Sequence, residues 1–366
     1  MTKILKYFTT FIYSLVRAII NFNNRQFLIS EKINNLKLKD KNKNLFVAFI
    51  ERSSHTINFN YVEYLLNIKL LSKDKKCLII ILPESEKKKI YLKNNFLRNS
   101  NQLRYETILS PLFDLIEDFN PSILTFKNRI DAIEYFNLPR EQKFPKDSVY
   151  ENTNYKPFYV KDLYRNIINT NVRPIIKSQD HYLDLLNILH SNKNYKKIIS
   201  ISLRSAKNKN FISEIDKYRN SNLKVWLNVA DWIKEELNFT PIIIPDITQI
   251  DLEDKDFRGH EVSRMASMNL NLRVALYQKS FLNLTISAGF SELLYHSNYS
   301  FLSFKFGDDR IKKYTNSVED NESTYGIKKG EQLPFLTKKQ KIFWGEKSEE
   351  FNFIKDKINS FMDNHL

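Results

Sequence analysis

The sequence predicts an α/β protein of two parallel-sheet domains, each with helices on both faces of its sheet. Short continuous apolar runs, LFVAFI (45–50), KCLIIIL (76–82), IISISL (198–203) and PIII (241–244), have the size of buried parallel strands. Segments of helical periodicity separate them, which is the βαβ pattern. The length of 366 residues accommodates two domains of roughly 100–200 residues each. With 42% hydrophobic and 13% aromatic residues, packed cores are expected rather than disorder.

The chain carries 57 basic and 42 acidic residues, a net charge of +15 that favours anionic partners. The lysines are scattered (KLKDKNKN, EKKK, YKK) and no zinc-finger or RNA-recognition signature accompanies them, so nucleic acid is not the expected partner. The single cysteine, Cys77, excludes an intramolecular disulfide and a cysteine zinc cluster. It precedes an apolar run, where a buried thiol in a reducing, cytoplasmic setting is expected. All six glycines lie at or after Gly259, which removes glycine-rich phosphate loops from the N-terminal two thirds.

Residues 3–21 read as an amphipathic helix whose charges leave too short an apolar stretch for a membrane span of about 20 residues. It either lies on an anionic membrane surface, making the protein peripheral, or packs on the folded body. LFVAFI is the first strand, ERSSHTINFN a loop, YVEYLLNIKLL a helix and KCLIIIL the second strand. Pro111 opens a short helix, and SILTF (122–126) is a third strand. Ligands of parallel sheets sit beyond the carboxyl ends of the strands. The loop holding Glu51, Arg52, Ser53, Ser54 and His55 is therefore either the N-terminal site or a solvated connector. An interdomain linker is expected near 165–190.

IISISL opens the second domain. A charged loop follows, with Arg204, Lys207, Lys209, Arg219, Asn220 and Ser221, and then the helix LKVWLNVADWIKEEL, capped by Ser221 or Asn222. Its Leu223, Trp226, Leu227, Ala230 and Ile233 have core spacing, so Trp226 is read as core. Asp246, just past PIII, either meets a ligand or caps a turn. Asp254 and Asp256 match a D-x-D metal pattern only weakly, and no metal site is expected. NLNLRVALYQKS is a helix, LNLTI (282–286) a strand, Ser287–Phe290 a turn, Ser291–Glu292 a helix start and FLSFKF (301–306) a strand. Gly289 permits close backbone approach or positive φ. The amides of a helix starting near Ser291 would attract a phosphate. The tail ends in a helix with Phe351, Ile354, Ile358 and Phe361 at helical spacing.

These C-terminal features resemble the C-terminal domain of two-Rossmann, GT-B type glycosyltransferases, in the sense of the heptosyltransferase-like group. The residues that carry the resemblance are IISISLR, YRNSN ahead of LKVWLNVADWI, PIIIPD, LNLRVALYQKS and LNLTISAGFSELLYHSNYSFLSFKF. The resemblance implies two Rossmann-like domains facing each other across a cleft. It further implies a donor diphosphate held by Arg204 and by Ser287, Gly289, Phe290, Ser291 and Glu292. ERSSH stands where that group has a glycine-rich turn, and Phe290-Ser291-Glu292 where it has a histidine after the second glycine turn.

The expected division is an N-terminal helix at 1–30, an acceptor domain at 40–180, a nucleotide-sugar domain at 190–345 and a C-terminal helix at 346–366 packing across the body. The leading expectation is an inverting, metal-independent transfer of a sugar from a nucleotide-sugar co-substrate to a glycan or lipid-linked hydroxyl acceptor, as in cell-surface polysaccharide synthesis, with no separate cofactor. Such a reaction needs a base for the acceptor and positive charge for the departing diphosphate. Glu51, then His55, are nominated for the base. Arg204 and Arg219 are nominated for the diphosphate, with Asn220, Ser221 and Asp246 lining the donor site and Glu292 holding its hydroxyls. The alternative from another class is a non-catalytic nucleotide- or carbohydrate-binding protein on the same scaffold. A third reading is RNA binding through the basic surface.

Overall fold

The computed structural model describes residues 45–51, 57–73, 75–82, 104–138, 142–146, 160–191, 193, 195–205, 218–311 and 317–365, with the backbone alone of Glu51 and of 160–162. The expected helix at 3–21 and the loop residues 52–56 lie outside them. No helix among the described residues is long and apolar enough to cross a membrane.

The chain forms two compact units that interleave in sequence. One holds Met1–Ser54, Asp74–Leu92 and Pro121–Tyr155, and the other holds His55–Lys73, Lys93–Asn120 and Lys156–Leu366. In chain order the first elements are β1 (Leu45–Glu51), α1 (Asn60–Ser72), β2 (Lys76–Leu82), α2 (Ser110–Leu115, entered through a π turn), β3 (Ser122–Thr125), α3 (Arg129–Asn137) and β4 (Lys143–Phe144). The helices α1 and α2 belong to the second unit, although both fall inside the stretch 40–180 that reads as one N-terminal domain. Helical periodicity shows that a segment has a face to bury, but not which sheet covers it.

The first unit is a four-stranded parallel sheet in the order β3-β2-β1-β4. The continuous apolar run of β1 is buried from Phe46 to Ile50, as parallel strands covered on both faces require. Helix α3 begins where the Asn128 side chain accepts from the Ile130 N–H at 2.8 Å. It sets Ala132, Ile133, Tyr135 and Phe136 against Val47, Phe49, Ile80 and Leu82. Cys77 is buried, as its position ahead of LIIIL implies.

The second unit continues with α4 (Val160–Thr170), α5 (Asp180–His190), β5 (Ile198–Ser202), α6 (Leu223–Glu235), β6 (Thr240–Ile244), β7 (Glu261–Val262), α7 (Leu270–Lys279), β8 (Leu282–Ile286), α8 (Glu292–Tyr295), β9 (Phe301–Phe306), α9 (Val318–Tyr325), β10 (Gln340–Trp344) and α10 (Phe351–His365). Its sheet is six-stranded and parallel, in the order β10-β9-β8-β5-β6-β7. Helices α6 and α10 cover one face. Trp226, Ala230 and Ile233 from α6, with Ile354, Ile358 and Phe361 from α10, pack on Ile199, Ile201, Leu284 and Phe304. Trp226 is 1% exposed, so the core reading holds. The α6 cap is Asn222, whose side chain accepts from the Val225 N–H.

The opposite face of the two central strands is polar, which the ISIS and LNLT alternations display. Ser200 lies opposite Asn283 and Ser202 opposite Thr285. The Ser200 hydroxyl donates to Asn283 Oδ1 at 2.6 Å, and the Ser202 hydroxyl pairs with the Tyr277 hydroxyl of α7 at 2.8 Å. A fully bonded polar row in a buried sheet ties α7 to a single position over the strands.

Candidate functional site

From β5 the chain moves outward through β6 to β7, and then returns to build β8, β9 and β10 on the other side. The β5/β8 seam is therefore the topological switch point, beyond whose carboxyl ends the ligands of such sheets bind. The register that places Ser202 opposite Thr285 ends both strands at one level, so the segments starting at Arg204 and Ser287 leave the sheet side by side.

The Arg204 segment is fastened to the end of its own loop. Its N–H donates to Ser221 Oγ at 2.8 Å, and the Ser221 N–H donates back to the Arg204 carbonyl at 2.8 Å. The Arg204 guanidinium donates to Asn220 Oδ1 at 2.7 Å. Lys305, near the end of β9, donates to the Asn220 carbonyl at 2.7 Å and pairs with Glu349 at 2.9 Å. Arg204, Arg219, Asn220 and Ser221 are all half-buried. Lys305 went unnoticed in the sequence, yet a lysine inside the apolar run FLSFKF was its signal: a buried ammonium must have a built partner.

The Ser287–Glu292 segment differs from its sequence reading. It forms one 3-10 turn, Gly289–Ser291, followed by a helix of only four residues, too short for a helix dipole of any weight. Gly289 has no positive φ. A Cβ there would stand 2.8 Å from Cδ2 and 3.3 Å from Cβ of Phe59, so the glycine makes room for a phenyl ring at the head of α1. Ser291 is buried, and its hydroxyl donates to the Ile286 carbonyl at 2.6 Å, closing the turn. Phe290 is buried with the Arg273 guanidinium 4.8 Å over its ring. Ser287 and Gly289 are the members of the segment that reach the surface. Gly289→Ala should therefore destabilise the protein by about 1–3 kcal/mol through overpacking. In a Phe59→Leu background the cost should shrink, a coupling that urea unfolding of both singles and the double would measure.

Glu292 faces inward, 8% exposed, beside Glu63 of α1, which is 2% exposed, and His296, which is 0% exposed. The Tyr325 hydroxyl donates to Glu292 Oε1 at 2.8 Å. Burial pushes the Glu292 carboxyl up to about 7, partly offset by the Tyr325 hydrogen bond. Burial first and the neighbouring Glu292 second push Glu63 well above the usual carboxylate range. Burial, reinforced by the Arg173 charge, pulls His296 down to about 3, so its imidazole is neutral.

Asp246 caps a turn: its carboxylate accepts from the Thr248 N–H at 3.0 Å, and Gln249 completes a capping box. The D-x-D carboxylates are likewise engaged, Asp254 with Arg264 at 2.8 Å and Asp256 with the Glu253 N–H at 2.9 Å. Glu51 ends β1 in register with Leu82, as the residue at a strand's carboxyl end. His55 lies outside the described residues. A pocket of about 550 Å³ elsewhere in the second unit is lined by Asp114, Glu117, Asp118 and Asp180 against Lys177 alone, the wrong charge for a diphosphate.

No known family model matches the sequence, and no curated protein does. Among solved structures the chain is similar to a family 9 glycosyl transferase from Veillonella parvula, with a TM-score of 0.45 at 9% identity over 88% of this chain and 90% of that one. It is similar to an ADP-heptose lipopolysaccharide heptosyltransferase II from E. coli, with a TM-score of 0.45 at 9% identity over 87% and 99%. A wall teichoic acid polymerase gives a TM-score of 0.34 at 12% identity over 93% and 92%.

Proposed function

We propose that the chain is a glycosyltransferase using a nucleotide-sugar donor, bound in the crevice at the β5/β8 switch point. The observation that supports this most is the β5/β8 register, which brings the Arg204 and Ser287 segments out of adjacent strands at the place where doubly wound sheets accept a nucleotide. Arg204 and Arg219 supply fixed positive charge for a diphosphate, and the Asn220–Ser221 corner holds Arg204 in place before any ligand arrives. Glu292 is left out of the donor set because its buried carboxylate is engaged with Tyr325.

In the proposed reaction a base, Glu51 or else His55, takes the acceptor hydroxyl proton. The oxygen attacks the anomeric carbon from the face opposite the leaving group, and the bond from that carbon to the diphosphate breaks, inverting the centre. The developing diphosphate charge is met by Arg204 and Arg219, with no metal in the step. The acceptor is proposed to be a glycan or lipid-linked hydroxyl.

A thermal-shift series with uridine, guanosine, cytidine and adenosine diphosphate sugars tests the reading, since a ligand of the folded state raises Tm. One class should bind and be slowly hydrolysed. Arg204→Ala should weaken that binding about 10- to 100-fold, the loss of one charge-assisted contact. A folded protein that binds none of them would refute the proposal. Binding without transfer or hydrolysis would favour a non-catalytic binding protein.

A further inference from the structure

We propose that Glu63, Glu292 and His296 bind one divalent metal ion of the zinc class inside the second unit, apart from the donor crevice. The three come from two places far apart in sequence, α1 and the α8 segment, and their candidate ligand atoms all lie within 4.8 Å of one another. His296 Nε2 and Glu292 Oε2 are 3.9 Å apart. A zinc ion about 2.0–2.2 Å from each donor would hold neighbouring ligand atoms about 3.4 Å apart, so this pair must close by about 0.5 Å and the widest pair by up to about 1.4 Å.

The unmade bonds point the same way. Both ring nitrogens of His296 are buried without a hydrogen-bond partner, and the Glu63 and Glu292 carboxyl groups beside them are bonded to each other. Buried polar atoms ordinarily have partners, and such orphans are what an unseen ion leaves behind. Arg173 does not fill that place, because its guanidinium donates to the carbonyls of Phe335, Tyr295 and Ser297. One nitrogen and two carboxylate oxygens suit zinc better than magnesium or calcium, which favour all-oxygen shells.

Tyr164, whose ring stacks on His296 at 6.2 Å, has a buried hydroxyl that also lacks a partner, and it or a water would complete the shell. The ion would pin α1 to α8, and with it Phe59 against Gly289. That role does not depend on the proposed transferase activity.

The test is metal analysis of the full chain purified without chelator, after dialysis against EDTA, and after return of zinc chloride, with thermal unfolding at each stage. About one zinc per chain is expected. EDTA should remove it and lower Tm by roughly 5 °C, and zinc should restore both. Glu63→Gln should bind no zinc and show a Tm indifferent to EDTA. Should that variant fail to fold, zinc-edge X-ray absorption on the wild type must show nitrogen and oxygen donors with an imidazole. The proposal is overturned if the loaded wild type holds no zinc and its Tm ignores zinc and EDTA, the behaviour of two carboxyl groups sharing a proton. It is equally overturned if Glu63→Gln retains the ion, or if the absorption spectrum lacks the imidazole.

Discussion

Glu349→Ala is expected to lower the free energy of unfolding by about 3–5 kcal/mol, the cost of stranding one partner of a buried ion pair. The Lys305 and Glu349 side chains are 5% and 8% exposed and 2.9 Å apart. The second Glu349 oxygen accepts from the Trp226 indole N–H and from the Asn222 N–H, both at 2.8 Å. The substitution therefore removes three partners at once and leaves an ammonium in the interior with only part of its partners. Glu349→Gln should cost less, because its amide keeps an acceptor for the indole. Lys305→Met in the Glu349→Ala background should recover part of the loss, since a buried pair replaced by apolar groups is often neutral. A double-mutant cycle by urea unfolding measures the coupling, and additive losses would contradict it. Lys305 also holds the Asn220 carbonyl, so the variants should loosen the corner that positions Arg204.

Arg173→Met should cost on the order of 3 kcal/mol, the scale of one or two charge-assisted hydrogen bonds to buried acceptors. The guanidinium spans the Phe335, Tyr295 and Ser297 carbonyls at 3.0, 2.6 and 2.8 Å and lies 5.1 Å over the Phe335 ring. Arg173→Lys should rescue little, because one ammonium cannot reproduce a planar fork that reaches three carbonyls and stacks on a ring. Thermal unfolding of both variants checks this, and a lysine variant as stable as wild type would refute the geometric argument.

The strands that formed continuous apolar runs, β1, β2, β5, β6, β8 and β9, were readable within a residue or two, and so were α6, α7 and α10. Each is specified by contacts between near neighbours and by a face that must be buried. The short strands β4 and β7 left no run to see. β10, with its mixed QKIFW, is an edge strand that one face of packing and a neighbour's register hold in place. The cap was readable as Ser221 or Asn222 and Trp226 as core, because capping and periodicity act over a few residues.

Gly289 shows where such reading stops. Its scarcity marked it as a point of close approach or of positive φ; the structure has the approach, and the approaching group is the Phe59 ring, more than 200 residues away in the chain. Glu292 is the same kind of case. At a helix start it reads as a ligand contact, and folding instead sets it beside Glu63, from a helix whose sequence, YVEYLLNIKLL, says only that it is apolar. The chain's local patterns settled that this is a parallel α/β protein with Arg204 and Ser287 at strand ends. Which helix covers which sheet settled where the buried charges meet, because electrostatic partners are chosen by proximity in space, and periodicity carries no record of that.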